Sequence, residues 1–339
     1  MALRLIDAGT VSPLRSQALW HGIASAMREG DDPVLSLCRP DDAYVGIGYH
    51  RRLDELDLAA TRRQRVRVIR RQIGGGPVWL DRDQLFFQLT MPARSAPAVV
   101  DRLYAQALEP AVAAFRALGA DARRDAVNDV LVGDVKVSGT GAGRIGDAVT
   151  VVGNVLLRFP HERMADVLAL PTEEMREEVL RVMRANVACL GGLGLGGVTH
   201  EDAAGALVAA YGAALGPPIE GALRSDERCA VERWETRMSA TGWLRGPDLP
   251  QRPGRRVKVR AGVHVAWARS GGVSVLATVA GGRFSRARVR AGDRAAAALS
   301  AALEGMPVGC DGTRRLLRAY GAVGERAEQA LDVALTGRD

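Results

Sequence analysis

The chain has 339 residues, 47% hydrophobic and 25% charged, with 46 basic and 39 acidic side chains and a net charge of +7. Such a length suggests two domains, and the composition is that of an ordinary globular protein able to bury a core. No stretch approaches the roughly 18 uncharged apolar residues of a membrane span, and Asp7 interrupts any apolar leader, so neither a membrane segment nor a signal peptide is expected.

Leu3-Arg4-Leu5-Ile6 opens as a strand, and Ser12-Pro13 starts a helix over 12–28, with serine as N-cap and proline at the first helical position. Strands are predicted over 33–38, 44–49, 66–71 and 84–90, with helices over 54–64 and 98–118. In the second helix Val99, Leu103, Leu108, Val112 and Phe115 recur at helical spacing. From 127 to 159 the chain turns to short strands: 130–132 and 135–137 form a hairpin about Gly133-Asp134, and 149–157 is apolar enough to cross a sheet. Helices follow near 164–168, 172–186, 201–214 (capped by Thr199) and 227–238. The 246–254 stretch, Gly-Pro-Asp-Leu-Pro-Gln-Arg-Pro-Gly, reads as a linker. Beyond it three strands (257–260, 263–269, 273–279) and two helices (293–304, 313–334) make a small α+β module. Strands come in runs and not in strict βα alternation. The fold class is therefore α+β, a mixed and largely antiparallel sheet flanked by helices.

Charge divides with the same boundary. Residues 1–239 carry 29 basic and 31 acidic side chains, whereas 240–339 carry 17 and 8. The basic end would attract an acidic partner. Nucleic acid is not expected, because only 4% of residues are aromatic and none interleave the basic stretch as a stacking platform. Four cysteines (38, 189, 229, 310) lie far apart with no CxxC pair, which fits a reducing cytoplasm and argues against a zinc site. His161-Glu162 lacks the later histidine of a zinc hydrolase motif.

Two glycine-marked segments carry the chemistry. The first is Arg70-Arg71-Gln72-Ile73-Gly74-Gly75-Gly76-Pro77-Val78-Trp79. Glycines without Cβ atoms let the backbone approach an anion, and the two arginines offer guanidinium forks for phosphate or for fixing the loop. It is not a P-loop, since no lysine follows Gly76 until Lys136, and it leads into a strand, unlike a Rossmann turn. The second segment is Asn128-Asp129-Val130-Leu131-Val132-Gly133-Asp134-Val135-Lys136-Val137-Ser138-Gly139-Thr140-Gly141. Lys136 is one of only two lysines among the 46 basic residues, the other being Lys258. An ammonium is a compact point charge and a guanidinium a broad fork, so a lone lysine between glycine turns points to a site that needs the former.

In this order the two segments resemble the lipoate–protein ligase A family, whose catalytic fold is shared with biotin–protein ligases and class II aminoacyl-tRNA synthetases. The resemblance implies a catalytic domain over 1–246 and an accessory domain over 247–339, the latter including a Gly-Gly-Arg-Phe turn at 281–284 before a strand. It implies ATP-dependent attachment of lipoate, or a related acid, to a lysine of a lipoyl-domain acceptor such as an E2 subunit or the glycine-cleavage H protein, by a monomer using Mg2+. Lys136 is then the catalytic residue. Arg71, Gly74, Gly75, Gly76, Pro77, Val78, Trp79, Asn128 and Asp129 would bind ATP or adenylate, Asp129 also as a magnesium ligand. Arg70, Ile73, Val137, Ser138, Gly139, Val152 and Gly153 would surround the acid together with Lys136. The chain departs from the family at Leu80-Asp81, where His-Asp is common, and at Val151-Val152-Gly153-Asn154, where His-His-Gly-Thr is common. Trp20-His21 stands where a helical glutamate is usual.

Two further readings stay open: a cysteine-dependent octanoyl or lipoyl transferase using Cys189, and a non-catalytic subunit that binds lipoate or adenylate.

Overall fold

The computed structural model describes residues 2–125, 128–251, 253–292 and 294–335. The start of the helix expected from 293 and Arg252 of the expected linker lie outside them. The chain divides into two compact units: 1–160 with 187–248, and 161–186 with 249–339. The sequence suggested a single boundary near 246; the structure has passages at 160, 186 and 248.

The first unit is built on a six-stranded sheet in the order Gly141–Ile145, Ala148–Leu156, Gln84–Pro92, Val34–Pro40, Leu3–Val11, Pro218–Glu220. The first three pairings are antiparallel and the last two parallel. Both faces are covered, which is why Gln84–Pro92 is buried along its whole length. On one face Leu85, Phe87 and Leu89 pack with Leu103, Leu108, Val112 and Phe115 of helix Val100–Ala117 and with Leu207 and Tyr211 of helix His200–Leu215. On the other, Cys38 and Phe86 meet Leu19, Trp20 and Ile23 of helix Pro13–Ala26 and Val231, Trp234 and Met238 of helix Ser225–Ser239. Ser12 caps the first of these through Arg15 N–H, with Pro13 in its first turn. Gly22 lets the two helices touch: a Cβ there would stand 2.4 Å from Val231 Cγ2.

Two small three-stranded sheets carry the glycine-marked segments. Arg67–Arg70, Tyr44–Ile47 and Val78–Leu80 form one, so the strands before and after the triple glycine share the central strand Tyr44–Ile47. Ala122–Arg124, Val130–Val132 and Val135–Ser138 form the other, with Gly133 (φ 54°) in the hairpin turn.

The second unit is an antiparallel meander, Arg255–Arg260, Val263–Ser270, Val273–Ala280 and Arg283–Arg290. One face is apolar (Ala266, Ala268, Val275, Ala277, Val289) and packs on helices Ala295–Leu303, Asp311–Ala319 and Gly321–Leu335. The sequence suggested one helix over 313–334. The chain instead turns at Gly321 (φ 59°), and Gly324 would drive a Cβ to 1.6 Å from Leu317 O. The other face of the meander carries Arg286, Arg288 and Arg290, alternate residues of one strand. Helix Glu173–Asn186 presents Glu174 and Glu178, one turn apart, to them. Glu174 pairs with Arg288 and Arg290, both at 2.8 Å, and Glu178 pairs with Arg286 at 3.6 Å and accepts from Thr278 Oγ1. That ladder joins 161–186 to the C-terminal strands. Among the described residues no helix is long and apolar enough to cross a membrane.

Candidate functional site

Lys136 lies on strand Val135–Ser138, and its ammonium sits 2.7 Å from Asp129 Oδ1. The carboxylate is only 2% exposed, against 20% for the lysine side chain. The buried carboxylate holds the ammonium in place. Asn128 Nδ2 donates to Thr140 O at 2.8 Å and Thr140 Oγ1 donates to Asn128 O, closing the loop across the hairpin. Ala188 N–H, from the segment that follows the second-unit helix in sequence, donates to Lys136 O at 2.8 Å and fixes the strand from its other edge. The Asn-Asp pair thus holds the lysine hairpin. Among the described residues no group of three or more His, Cys, Asp or Glu side chains could hold a metal ion. The Asp129 carboxylate is paired with Lys136.

The turn after the lysine is tied to the strand after the triple glycine. Gly139 N–H donates to Asn154 Oδ1 (2.9 Å), Asn154 Nδ2 to Gln84 Oε1 (2.8 Å), and Gln84 Nε2 to Trp79 O (3.1 Å). Trp79 Nε1 then donates to Asp81 Oδ2 (2.7 Å). Desolvation raises the Asp81 carboxyl above the usual range. Sequence reasoning did not single out Gln84, and it noted Asn154 only as part of a departure from the family. Their signal was an amide side chain in a strand made mostly of apolar residues, where it must find a partner.

Both arginines of the first segment hold backbone. Arg70 is fully buried and its guanidinium donates to the carbonyls of Gly48, Tyr49, Arg51, Leu244 and Arg245 at 2.7–3.2 Å. Arg71 donates to Gly74 O and Gly76 O, drawing the loop around itself, and burial pushes its pKa down to about 10. Its Nη1 is buried without a hydrogen-bond partner among the described residues. Gly75 adopts φ 99°, whereas side chains added at Gly74 or Gly76 would meet nothing within 4 Å, so those two faces are open to a ligand. Val78 is exposed and Trp79 buried; Pro77 leads into their strand.

His21 supports the loop from below. It is fully buried, its Nδ1–H donates to Gln17 O (2.6 Å), and its Nε2 accepts from Gln72 N–H (3.0 Å). This pattern requires the neutral ring. Burial, which outweighs its hydrogen bond to Gln17, lowers the pKa to about 3. The unfolded chain, with an ordinary histidine, binds the extra proton first as pH falls. This contribution to stability is therefore complete above about 6.5 and lost progressively as pH drops towards 3. His21→Gln is expected to keep the Gln72 contact and flatten that loss between pH 6.5 and 4, which urea titrations at several pH values would measure. An unchanged pH slope would show that His21 protonation is not what is felt there.

Of the residues expected around the acid, the structure brings together Lys136, Gly139, Ile73 and Val152. A Cβ on Gly139 would stand 3.8 Å from Lys136 Nζ; one on Gly141 would stand 3.4 Å from Ile73 Cδ1 and 3.9 Å from Val152 Cγ2. Ser138 is buried, its Oγ accepting from Asn154 N–H. Val137 does not join them, because it belongs to the core under helix Val100–Ala117. Gly153 is covered by Phe87, whose ring would lie 2.3 Å from an added Cβ. Arg70 is engaged with carbonyls as described above.

A family model described as "Lipoyl protein ligase A/B catalytic domain" matches residues 12–212. Lipoate-protein ligase A subunit 1 of Thermoplasma acidophilum is 26% identical over 51% of this chain and 69% of its own length. Octanoyltransferase LipM of Kyrpidia tusciae is 26% identical over 71% of this chain and 97% of its own. Among solved structures, the bi-partite lipoate protein ligase studied with its E2 lipoyl domain from Thermoplasma acidophilum superposes with TM-score 0.67 and 25% identity, covering 74% of this chain and 99% of that one. A lipoate-protein ligase A bound with ATP gives TM-score 0.63 at 23% identity, over 73% and 99%.

Proposed function

The chain belongs to the lipoyl protein ligase A/B catalytic domain family, and on that premise we propose that it uses ATP to join lipoate, or a related carboxylic acid, to a lysine of an acceptor protein. In the first step a carboxylate oxygen of the acid attacks the α-phosphorus, and the bond to pyrophosphate breaks. In the second the acceptor amine attacks the acyl carbon, the bond to AMP breaks and the amine releases a proton. Lys136 would stand between carboxylate and α-phosphate, where both transition states gather negative charge. The open faces of Gly74 and Gly76 would admit the adenylate, and Arg71 would meet a phosphate oxygen. Magnesium would arrive with ATP, its ligands mostly phosphate oxygens and water. The acceptor would be a lipoyl-type domain, as the Thermoplasma acidophilum ligase is paired with its E2 lipoyl domain. The first unit would be catalytic and the second accessory.

The observation that carries this reading is the placing of Lys136, paired with buried Asp129, at the end of a backbone strip free of side chains. Acid-dependent exchange of labelled pyrophosphate into ATP tests it, because only an enzyme that forms an acyl-adenylate exchanges label.

Relatives named as octanoyltransferases favour a second reading, acyl transfer through a cysteine thiolate. Burial pushes the Cys38 thiol up to about 12, which removes it as a nucleophile. Cys189 is partly buried and directly follows Ala188, whose N–H holds the Lys136 strand. Under the ligase reading Cys189→Ser keeps ligation within a few-fold, and no hydroxylamine-sensitive acyl-enzyme accumulates in the parent. A trapped thioester that vanishes with the substitution would move the protein to the transferases.

A further inference from the structure

Gly141 and Gly143 are alternate residues of strand Gly141–Ile145, so the faces where they lack Cβ atoms lie along one side of it, and Gly139 stands two residues before that strand. Ile145, the next in that alternation, belongs to the core beneath helix Pro13–Ala26. The strip starts at the lysine, since a Cβ on Gly139 would stand 3.6 Å from Lys136 Cε and 3.8 Å from Nζ. It ends at Ile73. A Cβ on Gly141 would come to 3.4 Å from Ile73 Cδ1, and one on Gly143 to 2.3 Å from Ile73 Cγ2. Ile73 therefore occupies the room that a side chain at 143 would take.

Ile73 cannot easily leave. It is 4% exposed and packs in the same core as Phe86 and Ile145. Its carbonyl accepts from Tyr49 N–H at 3.1 Å, and the amide of the preceding Gln72 is held by buried His21. A tail laid along the strip from Lys136 would meet Cδ1 at Gly141.

We propose that Ile73 is the stop of the acyl slot and sets the length of acid that the enzyme accepts. This rests on the proposed acid–ATP chemistry, in which the carboxylate sits at Lys136. The acid is then an aliphatic monocarboxylate whose tail lies on bare backbone and ends against an isoleucine. Ile73→Val deletes only the carbon over Gly141; Ile73→Ala deletes three carbons and uncovers the strip to Gly143. One methylene in an apolar pocket changes discrimination by about tenfold or more.

The test is pyrophosphate exchange with straight-chain acids from butanoate to dodecanoate, measured as kcat/KM for the parent, Ile73→Val and Ile73→Ala. The optimum should move to longer acids in that order, with the ratio of the longest accepted acid to the parent's best rising about tenfold or more in Ile73→Ala. Gly141→Ala, which adds a carbon from the other side, should move it to shorter ones. Should Ile73→Ala fold poorly, the valine variant and Gly141→Ala still give shifts of opposite sign. Variants that lose rate on all acids alike, with the length profile unmoved, would overturn the role of Ile73 while leaving the ligase reading intact. No exchange with any acid in the parent would remove both.

Discussion

Lys136→Ala is expected to lose adenylation and transfer by about 10²-fold or more, the scale of removing a preorganised donor from a developing anion. It also leaves Asp129 buried without its counter-charge, which costs stability separately. Lys136→Arg divides the two roles. A guanidinium can still pair with Asp129, so the urea midpoint should return towards the parent value. It is broader than an ammonium, however, and its fork favours one carboxylate over bridging two reactants. Pyrophosphate exchange should therefore stay low in Lys136→Arg even where folding is restored. Lys258→Arg, an exposed position on a strand of the second unit, should be silent in both measurements. Near-normal exchange in Lys136→Arg would show that positive charge alone is what the position supplies.

How much of this was readable in the sequence follows from the range of the interactions. The 130–137 hairpin was legible because its alternation and its Gly133 turn lie within a few residues. The triple glycine and the lysine were legible as segments for the same reason. Their connection was not, since Gly139, Asn154 and the Trp79–Gln84 turn come from three separate stretches that meet only when the sheet forms. Helix Glu173–Asn186 was placed in sequence with its neighbours, yet Glu174 and Glu178 are claimed by arginines about a hundred residues later. Nothing local in Glu-Glu-Met-Arg-Glu-Glu distinguishes that face from a solvated one. His21 was noticed as a departure from the family. Its hydrogen bond to Gln72 N–H, spanning 51 positions, could not be read from either segment. Arg70 and Arg71 were readable as phosphate ligands or as loop supports, and only the geometry separates the uses.

That separation gives the second large effect. Arg70→Met should destabilise the first unit by about 3–5 kcal/mol, because five carbonyls lose one shared donor group and each buried, unmatched polar atom costs about 1–3 kcal/mol before water reaches some of them. Nη1 alone serves Gly48, Tyr49 and Arg51, while Nε and Nη2 reach Leu244 and Arg245. The side chain thus sews the end of strand Tyr44–Ile47 to the short helix Thr241–Arg245. Arg70→Lys should recover little: its three donors radiate from one nitrogen and cannot span the positions that the flat fork occupies. Here the preference runs opposite to Lys136, so the two reciprocal swaps together test whether charge or shape governs each position. Urea denaturation of the three proteins, read as midpoint at constant slope, measures the loss. An Arg70→Met protein with the parent midpoint and a KM for the acid raised tenfold or more would instead place this guanidinium on the substrate.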